Sequence, residues 1–507
     1  MLYDLLISNL GIVKPNRQGV EKAHVAVKDG RIAAVAPDLD AAQAAEVYDG
    51  GGLLAFPGLV DAHMHTGIYN PLAEDAVSES RAAAMGGVTT SLNYIRTGKY
   101  YLNKSGPYAE FFPEVLDISR GRYHVDYAYH IAPIQYSHID EIGMLIDRYG
   151  VTSFKIFMFY GNYGLHGKSS KQQDFLMTPD GEYYDYAHFE FIMRGIRKAM
   201  DERPDKADHI CLGLHCETAE IMRAYSDIVQ REGKLKGLRA YSAARPPHSE
   251  GLAIFIASYL AHETDCANIN LLHLTSAKAV DAAMMMQTVF PHIRFKREVT
   301  LAHLILDYDC ECGLQAKVNP PIRSREDVEY LWDHLLAGNI DWVCSDHACC
   351  KAEFKTDAHE KDNVWLAKSG FGGTEFLLSG LYTEGRKRGL SLNRMAELLS
   401  WNPAQRFGLP HKGDIAPGFD ADIVLMDPDS SFTVDSGGSA CIQSYSGFEG
   451  SVSGSHRCQS ASTQGYSVFE GYTFSGPVKA TFLRGALICK DGQVLGEPQG
   501  SFLHRPY

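Results

Sequence analysis

Between Pro57 and about Ser400 the chain repeats one pattern: a short β-branched or apolar run, a helix-like stretch, then the next run. Runs at 88–92, 151–158, 210–215, 269–273 and 340–346 follow helical stretches at 76–85, 141–149, 189–200, 252–262 and 326–336. Strands that alternate with helices pack as a parallel sheet, because each crossover must travel back along the sheet before the next strand starts. The length suits a (β/α)8 TIM-like barrel. A doubly wound sheet is the alternative, but no Gly-rich dinucleotide loop follows the first strand.

In such a barrel, chemistry gathers at the carboxyl ends of the strands. An apolar run over 53–60 leads into His63-Met64-His65. In a strand, residues two apart share a face, so both imidazoles point to one side. Lys155 lies inside an apolar run, and His215, His273 and Asp346 each end one. Alone, each is as readily a core or solvated residue. Five strands each delivering a metal-ligand type to one end point to a site.

Before Pro57 the signals are short strands at 3–7, 24–28 and 31–35, with an Asp29-Gly30 turn between the last two. After Asn402-Pro403-Ala404 strand signals return at 412–426 and 478–485. The two ends are therefore expected to pair in one small β-sandwich. The expected division is 1–56 and 409–507 for the sandwich and 57–408 for the barrel. A Ser/Gly-rich insertion covers 429–476, where Tyr445-Ser446-Gly447-Phe448-Glu449-Gly450 is echoed by Tyr466-Ser467-Val468-Phe469-Glu470-Gly471. A mobile insertion or a subunit contact is expected there.

A formal net charge of -14 argues against a nucleic-acid or anionic-membrane surface. No apolar stretch is long enough to span a bilayer. Eleven scattered cysteines do not form a spaced disulfide framework, and Asp4 in an N-terminus without a basic stretch is unlike a signal peptide. Reduced thiols and a cytoplasmic location are the expectation.

Several pieces, in order, carry a likeness: Pro57-Gly58-Leu59-Val60-Asp61-Ala62-His63-Met64-His65, Gly86-Gly87-Val88-Thr89-Thr90, Ser153-Phe154-Lys155-Ile156-Phe157-Met158, His215-Cys216-Glu217, Arg245-Pro246-Pro247, His273-Leu274-Thr275, Lys317-Val318-Asn319-Pro320-Pro321-Ile322-Arg323, Ser345-Asp346-His347 and Asn402-Pro403-Ala404. With these the chain resembles the cyclic amidohydrolases of the amidohydrolase superfamily, above all hydantoinase and dihydropyrimidinase. The resemblance implies two divalent metal ions, usually zinc, bridged by a lysine carboxylated by CO2, which falls on Lys155. His63, His65, Lys155 and Asp346 would surround one ion, and Lys155, His215 and His273 the other. The physics suits Lys155: a charged amine in an apolar strand is disfavoured, and a neutral amine can add CO2.

The implied reaction is metal-hydroxide attack on a ring amide, with Asp346 passing the proton to the departing nitrogen and Tyr160 stabilising the oxyanion. Asn319, Tyr69, Arg96 and Gly372 join Tyr160 as candidate substrate contacts. Arg96 either pairs with an anionic substituent or simply faces solvent. Thr66-Gly67-Ile68-Tyr69 lacks the arginine that dihydroorotases usually place after His-x-His, which argues against dihydroorotate. The loops 66–75, 94–108 and 161–186 look specialised. His347 and His303 read as supporting residues, and Cys344, Cys349 and Cys350 as bystanders. The resemblance also implies a homotetramer or homodimer. The rivals are a relative acting on another lactam, a linear amide or a ureido compound, a non-catalytic scaffold like the dihydropyrimidinase-related proteins, and a mononuclear deaminase that has no need of Lys155.

Overall fold

The computed structural model describes residues 2–161, 175–436, 444–445 and 462–507. Residues 446–450 of the echo and residues 162–174, half of the loop at 161–186, lie outside the described residues. Five strands open the chain: β1 (Tyr3–Ile12), β2 (Glu21–Lys28), β3 (Arg31–Ala36), β4 (Ala44–Asp49) and β5 (Leu54–Pro57). Eight parallel strands follow: β6 (Leu59–Met64), β7 (Val88–Ile95), β8 (Asp126–Ile131), β9 (Ser153–Phe157), β10 (Cys211–His215), β11 (Asn268–Leu271), β12 (Arg294–Thr300) and β13 (Trp342–Cys344). They pair in sequence order from β6 to β13. Just beyond the last strand, the His65 N–H donates to the His347 carbonyl at 2.7 Å and Met64 bridges His347. The sheet thus nearly closes on itself as the expected TIM-like barrel.

Two barrel strands are missing from the sequence reading. β8 is Asp-Tyr-Ala-Tyr-His-Ile, buried throughout although it carries Asp126 and His130. β12 is Arg-Phe-Lys-Arg-Glu-Val-Thr and has almost no apolar run to see. Its charges are matched in space: Lys296 and Arg297 pair with Asp341 at 2.8 and 3.2 Å, which frees the strand to bury its other end.

The chain continues through β14 (Ile423–Met426), β15 (Ser431–Thr433), β16 (Ser444–Tyr445), β17 (Thr473–Ser475), β18 (Val478–Leu483), β19 (Ala486–Lys490) and β20 (Gln493–Val494). A second sheet runs β20-β19-β18-β14-β5-β1-β2-β3, with β4 on β1, so both chain ends share it as expected. Its joint is β5 against β14, where Ala55 faces Leu425 and Phe56 faces Val424. Leu5, Ile7, Val25, Ile423, Leu425 and Phe482 form its core.

The apolar run at 53–60 is two strands in two sheets, not one. The break falls at Gly58, whose N–H donates to the Asp422 carbonyl at 2.8 Å. A Cβ at 58 would stand 2.2 Å from Thr89 Oγ1 and 2.8 Å from Asp422 Cβ. Only glycine lets the chain cross from the terminal sheet into the barrel at this closeness. That crossing sets where β6 begins, and hence where its histidines end.

Candidate active site

β6, β9, β10, β11 and β13 bring His63, His65, Lys155, His215, His273 and Asp346 together, and all but His63, which stands just behind, line one cavity. His63 Nε2 and His65 Nε2 lie 3.2 and 3.3 Å from Asp346 Oδ1. Lys155 Nζ lies 3.1 Å from His63 Nε2, and the His215 and His273 ring centroids are 4.4 Å apart. His63, His273 and Asp346 each place one donor atom within 4.8 Å of the other two. Asp346 and His273 reach inward from left-handed backbone, at φ +51° and +35°.

The second nitrogen of three imidazoles is tied from behind. His63 Nδ1 meets Glu298 Oε1 at 2.7 Å, His65 Nδ1 meets the Tyr101 hydroxyl at 2.5 Å, and His215 Nε2 meets Glu217 Oε2 at 2.7 Å. A carboxylate on one ring nitrogen fixes the tautomer of His63 and of His215 and leaves the other nitrogen's lone pair for an electrophile, while the Tyr101 hydroxyl, which can donate or accept, orients His65. His273 Nδ1 is buried without a hydrogen-bond partner among the described residues. Tied imidazoles, one orphaned buried nitrogen, a carboxylate and an amine are donors that could hold a divalent metal ion.

The electrostatics agree. Burial lowers all four histidines, to about 4 for His215, so the rings are neutral and able to ligate. Burial by itself would raise the Asp346 carboxyl, but His63, His65 and Lys155 hold it below its ordinary range. Burial brings the Lys155 amine down to about 8, against a weaker pull from Asp346 and Glu298. Its Nζ sits 3.9 Å from the Tyr94 ring centroid and 4.4 Å from that of Phe157.

Sequence reasoning missed the supporting layer. Glu298 holds His63 and also accepts the His273 N–H at 3.1 Å and Trp342 Nε1 at 2.8 Å. Glu217 pairs with buried Arg245, whose Nε donates at 2.9 Å. Glu217 and Arg245 stand in the motifs, where two opposite charges beside a histidine were the available signal. Glu298 read as structural beside His303, and Tyr101 as part of the specialised 94–108 loop, but nothing in the sequence joined either to a histidine of the site. His347 binds Glu79 at 2.8 Å and faces away from the cavity, and His303 bonds Thr300 and the Pro320 carbonyl, as supporting residues do.

The candidate substrate contacts divide. Tyr160 and Asn319 line the cavity, as do Ser369 and Gly370. Asn319 Oδ1 accepts the Tyr241 hydroxyl. Tyr69 lies outside the lining and donates to the Ser369 carbonyl, supporting the wall from behind. Gly372 also lies outside it: its N–H donates to Gln464, and a Cβ there would be 2.8 Å from His347 Cε1. Arg96 does not face solvent, being 0 % exposed behind Tyr101 and Tyr160. Cys349 and Cys350 do not line the cavity, and the nine cysteines among the described residues are unbridged. No helix among the described residues is long and apolar enough to cross a membrane.

Comparison with known proteins converges on this barrel. Residues 188–488 match the family described as Amidohydrolase family. An allantoinase of Salmonella choleraesuis (strain SC-B67) is 31% identical over 442 residues, 86% of this chain and 88% of its own. The solved L-hydantoinase (dihydropyrimidinase) from Arthrobacter aurescens superposes with a TM-score of 0.80 at 27% identity, covering 99% of each chain. A dihydropyrimidinase from Brevibacillus agri NCHU1002 shares the fold with a TM-score of 0.81 at 24% identity, over 99% of this chain and 98% of its own. The chain belongs to the amidohydrolase family. Within that family it is an enzyme of the cyclic amidohydrolase group.

Proposed function

We propose that this enzyme opens a hydantoin or dihydropyrimidine-like ring by hydrolysing one of its amide bonds. The observation that carries the reading is the set of histidines tied from behind, with Asp346 and Lys155, at the ends of five barrel strands. Two divalent ions fit these donors: one held by His63, His65, Lys155 and Asp346, the other by Lys155, His215 and His273. Bound there, they would polarise the amide carbonyl and make water acidic enough to act as a nucleophile near neutral pH. Lys155 would span the pair as a carbamate, formed when its neutral amine adds CO2 and gives up a proton. Its pKa near 8 keeps a neutral fraction available.

The protein's own groups then divide the work. Asp346, ionised and buried, takes the proton from the attacking water and returns it to the departing ring nitrogen. The Tyr160 hydroxyl donates to the oxygen that gains charge. Asn319 and the Ser369-Gly370 backbone offer donors and acceptors to the edge of the ring amide. Phe157 and Phe159 in the same lining keep the site apolar around these few polar groups.

The test combines metal analysis, intact mass and a panel of hydantoins, dihydropyrimidines, allantoin and simple lactams. Bound metal, a mass gain of one CO2 that disappears in Lys155→Ala, and turnover of a ring amide are expected. Protein purified with its metal retained but unmodified at Lys155, and fully active as Lys155→Ala, would sink the two-metal reading. A second reading, allantoin as the ring opened, is favoured by the allantoinase relative. Allantoin is itself a hydantoin carrying a ureido group, so the same panel separates the two.

A further inference from the structure

Arg96 follows β7 and is sealed inside the protein at 0 % exposure. Its Cζ lies 4.7, 5.1 and 5.5 Å from the ring centroids of Phe175, Tyr160 and Tyr101. Nη1 donates to the Thr97 carbonyl at 2.9 Å and the Tyr160 hydroxyl interacts with the guanidinium, but among the described residues Nε and Nη2 are buried without a well-formed hydrogen bond. Two other buried arginines are matched by carboxylates, Arg245 by Glu217 and Arg323 by Glu250, while Arg406 and Arg505 are held by neutral groups. Among the described residues Arg96 has no such carboxylate. A buried guanidinium without a counter-charge is costly, and stacking on aromatic faces offsets only part of that cost.

Two of those three rings, Tyr101 and Tyr160, are also walls of the active-site cavity. Tyr101 belongs to a run of four residues in left-handed backbone: Tyr100, Tyr101, Leu102 and Asn103, at φ +65°, +50°, +70° and +51°. Side chains other than glycine rarely hold that conformation, and such strain persists where the surroundings impose it. The segment that separates Arg96 from the cavity is therefore a strained one, held at the Tyr101 hydroxyl by His65 Nδ1.

We propose that Arg96 is the receptor for an anionic substituent of the ring substrate, a carboxylate above all. Nε and Nη2 form one edge of the guanidinium, the edge that meets both oxygens of a carboxylate in parallel. The substituent enters between Tyr101 and Tyr160 while the ring amide stays at the histidine cluster. This inference rests on the reading of the cavity as a cyclic-amide site and names the substrate class it favours.

The experiment compares hydantoin acetic acid with the matching hydantoin acetamide, by calorimetric binding and by kcat/KM, on the metal-containing enzyme. The carboxylate is expected to be preferred by about tenfold to a hundredfold, the range of a charged hydrogen-bonded pair. Arg96→Gln is expected to bring the ratio close to one, and Arg96→Lys to keep part of it. Ring binding with no preference for the carboxylate overturns the Arg96 assignment and leaves the ring chemistry standing. An unchanged ratio in Arg96→Gln overturns it as well. If neither ring binds or turns over, the cyclic-amide reading itself fails. Melting temperature separates a purely structural role: Arg96→Met, which keeps the stem and removes an unpaired charge, is expected not to lower it. A lowered value with an unchanged ratio makes Arg96 structural.

Discussion

Glu298→Gln is an informative single change at this site, because it preserves shape and alters only which atoms donate. Glu298 Oε1 accepts from the His273 N–H and faces His63 Nδ1, while Oε2 accepts from Trp342 Nε1. All of this is buried, the side chain being 0 % exposed. Glutamine has one oxygen to give. Turned towards His63, it leaves its NH2 against the indole N–H. Turned towards Trp342, its NH2 meets His63 Nδ1 and drives the ring proton to Nε2, the nitrogen that faces Asp346 and Lys155. Either arrangement buries an unsatisfied donor, at about 1–3 kcal/mol. Loss of a partner that orients a metal-binding histidine weakens metal by about 10–100-fold, or roughly 1.4–2.7 kcal/mol. The pKa of Glu298 is pushed up to about 7 by burial, so the assay belongs above that value, where wild type holds the full carboxylate. Metal content is followed under graded chelator, with urea unfolding alongside. A variant that holds metal as tightly as wild type and unfolds at the same urea concentration would show that Glu298 does not set the His63 tautomer.

Two further changes probe the chemistry and the support. Tyr160→Phe is expected to lower kcat by about 10²–10³-fold with KM and metal content little altered; an unchanged kcat removes Tyr160 from the reaction. Glu217 is held at about 2, because Arg245 and His215 outweigh the burial that would raise it. A carboxyl held below its unfolded value of about 4.3 contributes stability above that pH, and this is lost as pH falls towards 2. Arg245→Met strands the carboxylate and is expected to cost about 3–5 kcal/mol near neutral pH. It should also flatten the acid limb of the urea midpoint between about pH 4 and 2; an acid limb as steep as wild type would mean that the pair does not carry it.

The metal-binding candidates were legible because each ends a short apolar run, and a strand's end is visible wherever its core face is. Lys155 stood out for the opposite reason, as a charge within such a run. Glu298 was hidden: β12 carries its charges on a face paired by Asp341, and nothing local marks those charges as neutralised. Arg96 read most simply as a surface residue, since an arginine in a polar loop usually is one. Its burial behind Tyr101, Tyr160 and Phe175 depends on a loop after another strand, β9, folding over it. The run at 53–60 read as one strand because Gly58 breaks it through contacts with Thr89 and Asp422, one of them far along the chain.

By itself, then, the sequence determined which side chains can bind metal and at which strand ends they stand, because hydrophobic periodicity and residue chemistry are local properties. Only the tertiary structure decided which nitrogen of each ring faces the site. That choice belongs to partners such as Glu298, 235 residues from His63, and to Tyr101 beside His65. A tautomer is set by the nearest donor or acceptor in space. The same holds for charge: Arg245 is matched and Arg96 is not, and that difference arises only when distant segments meet in the folded barrel.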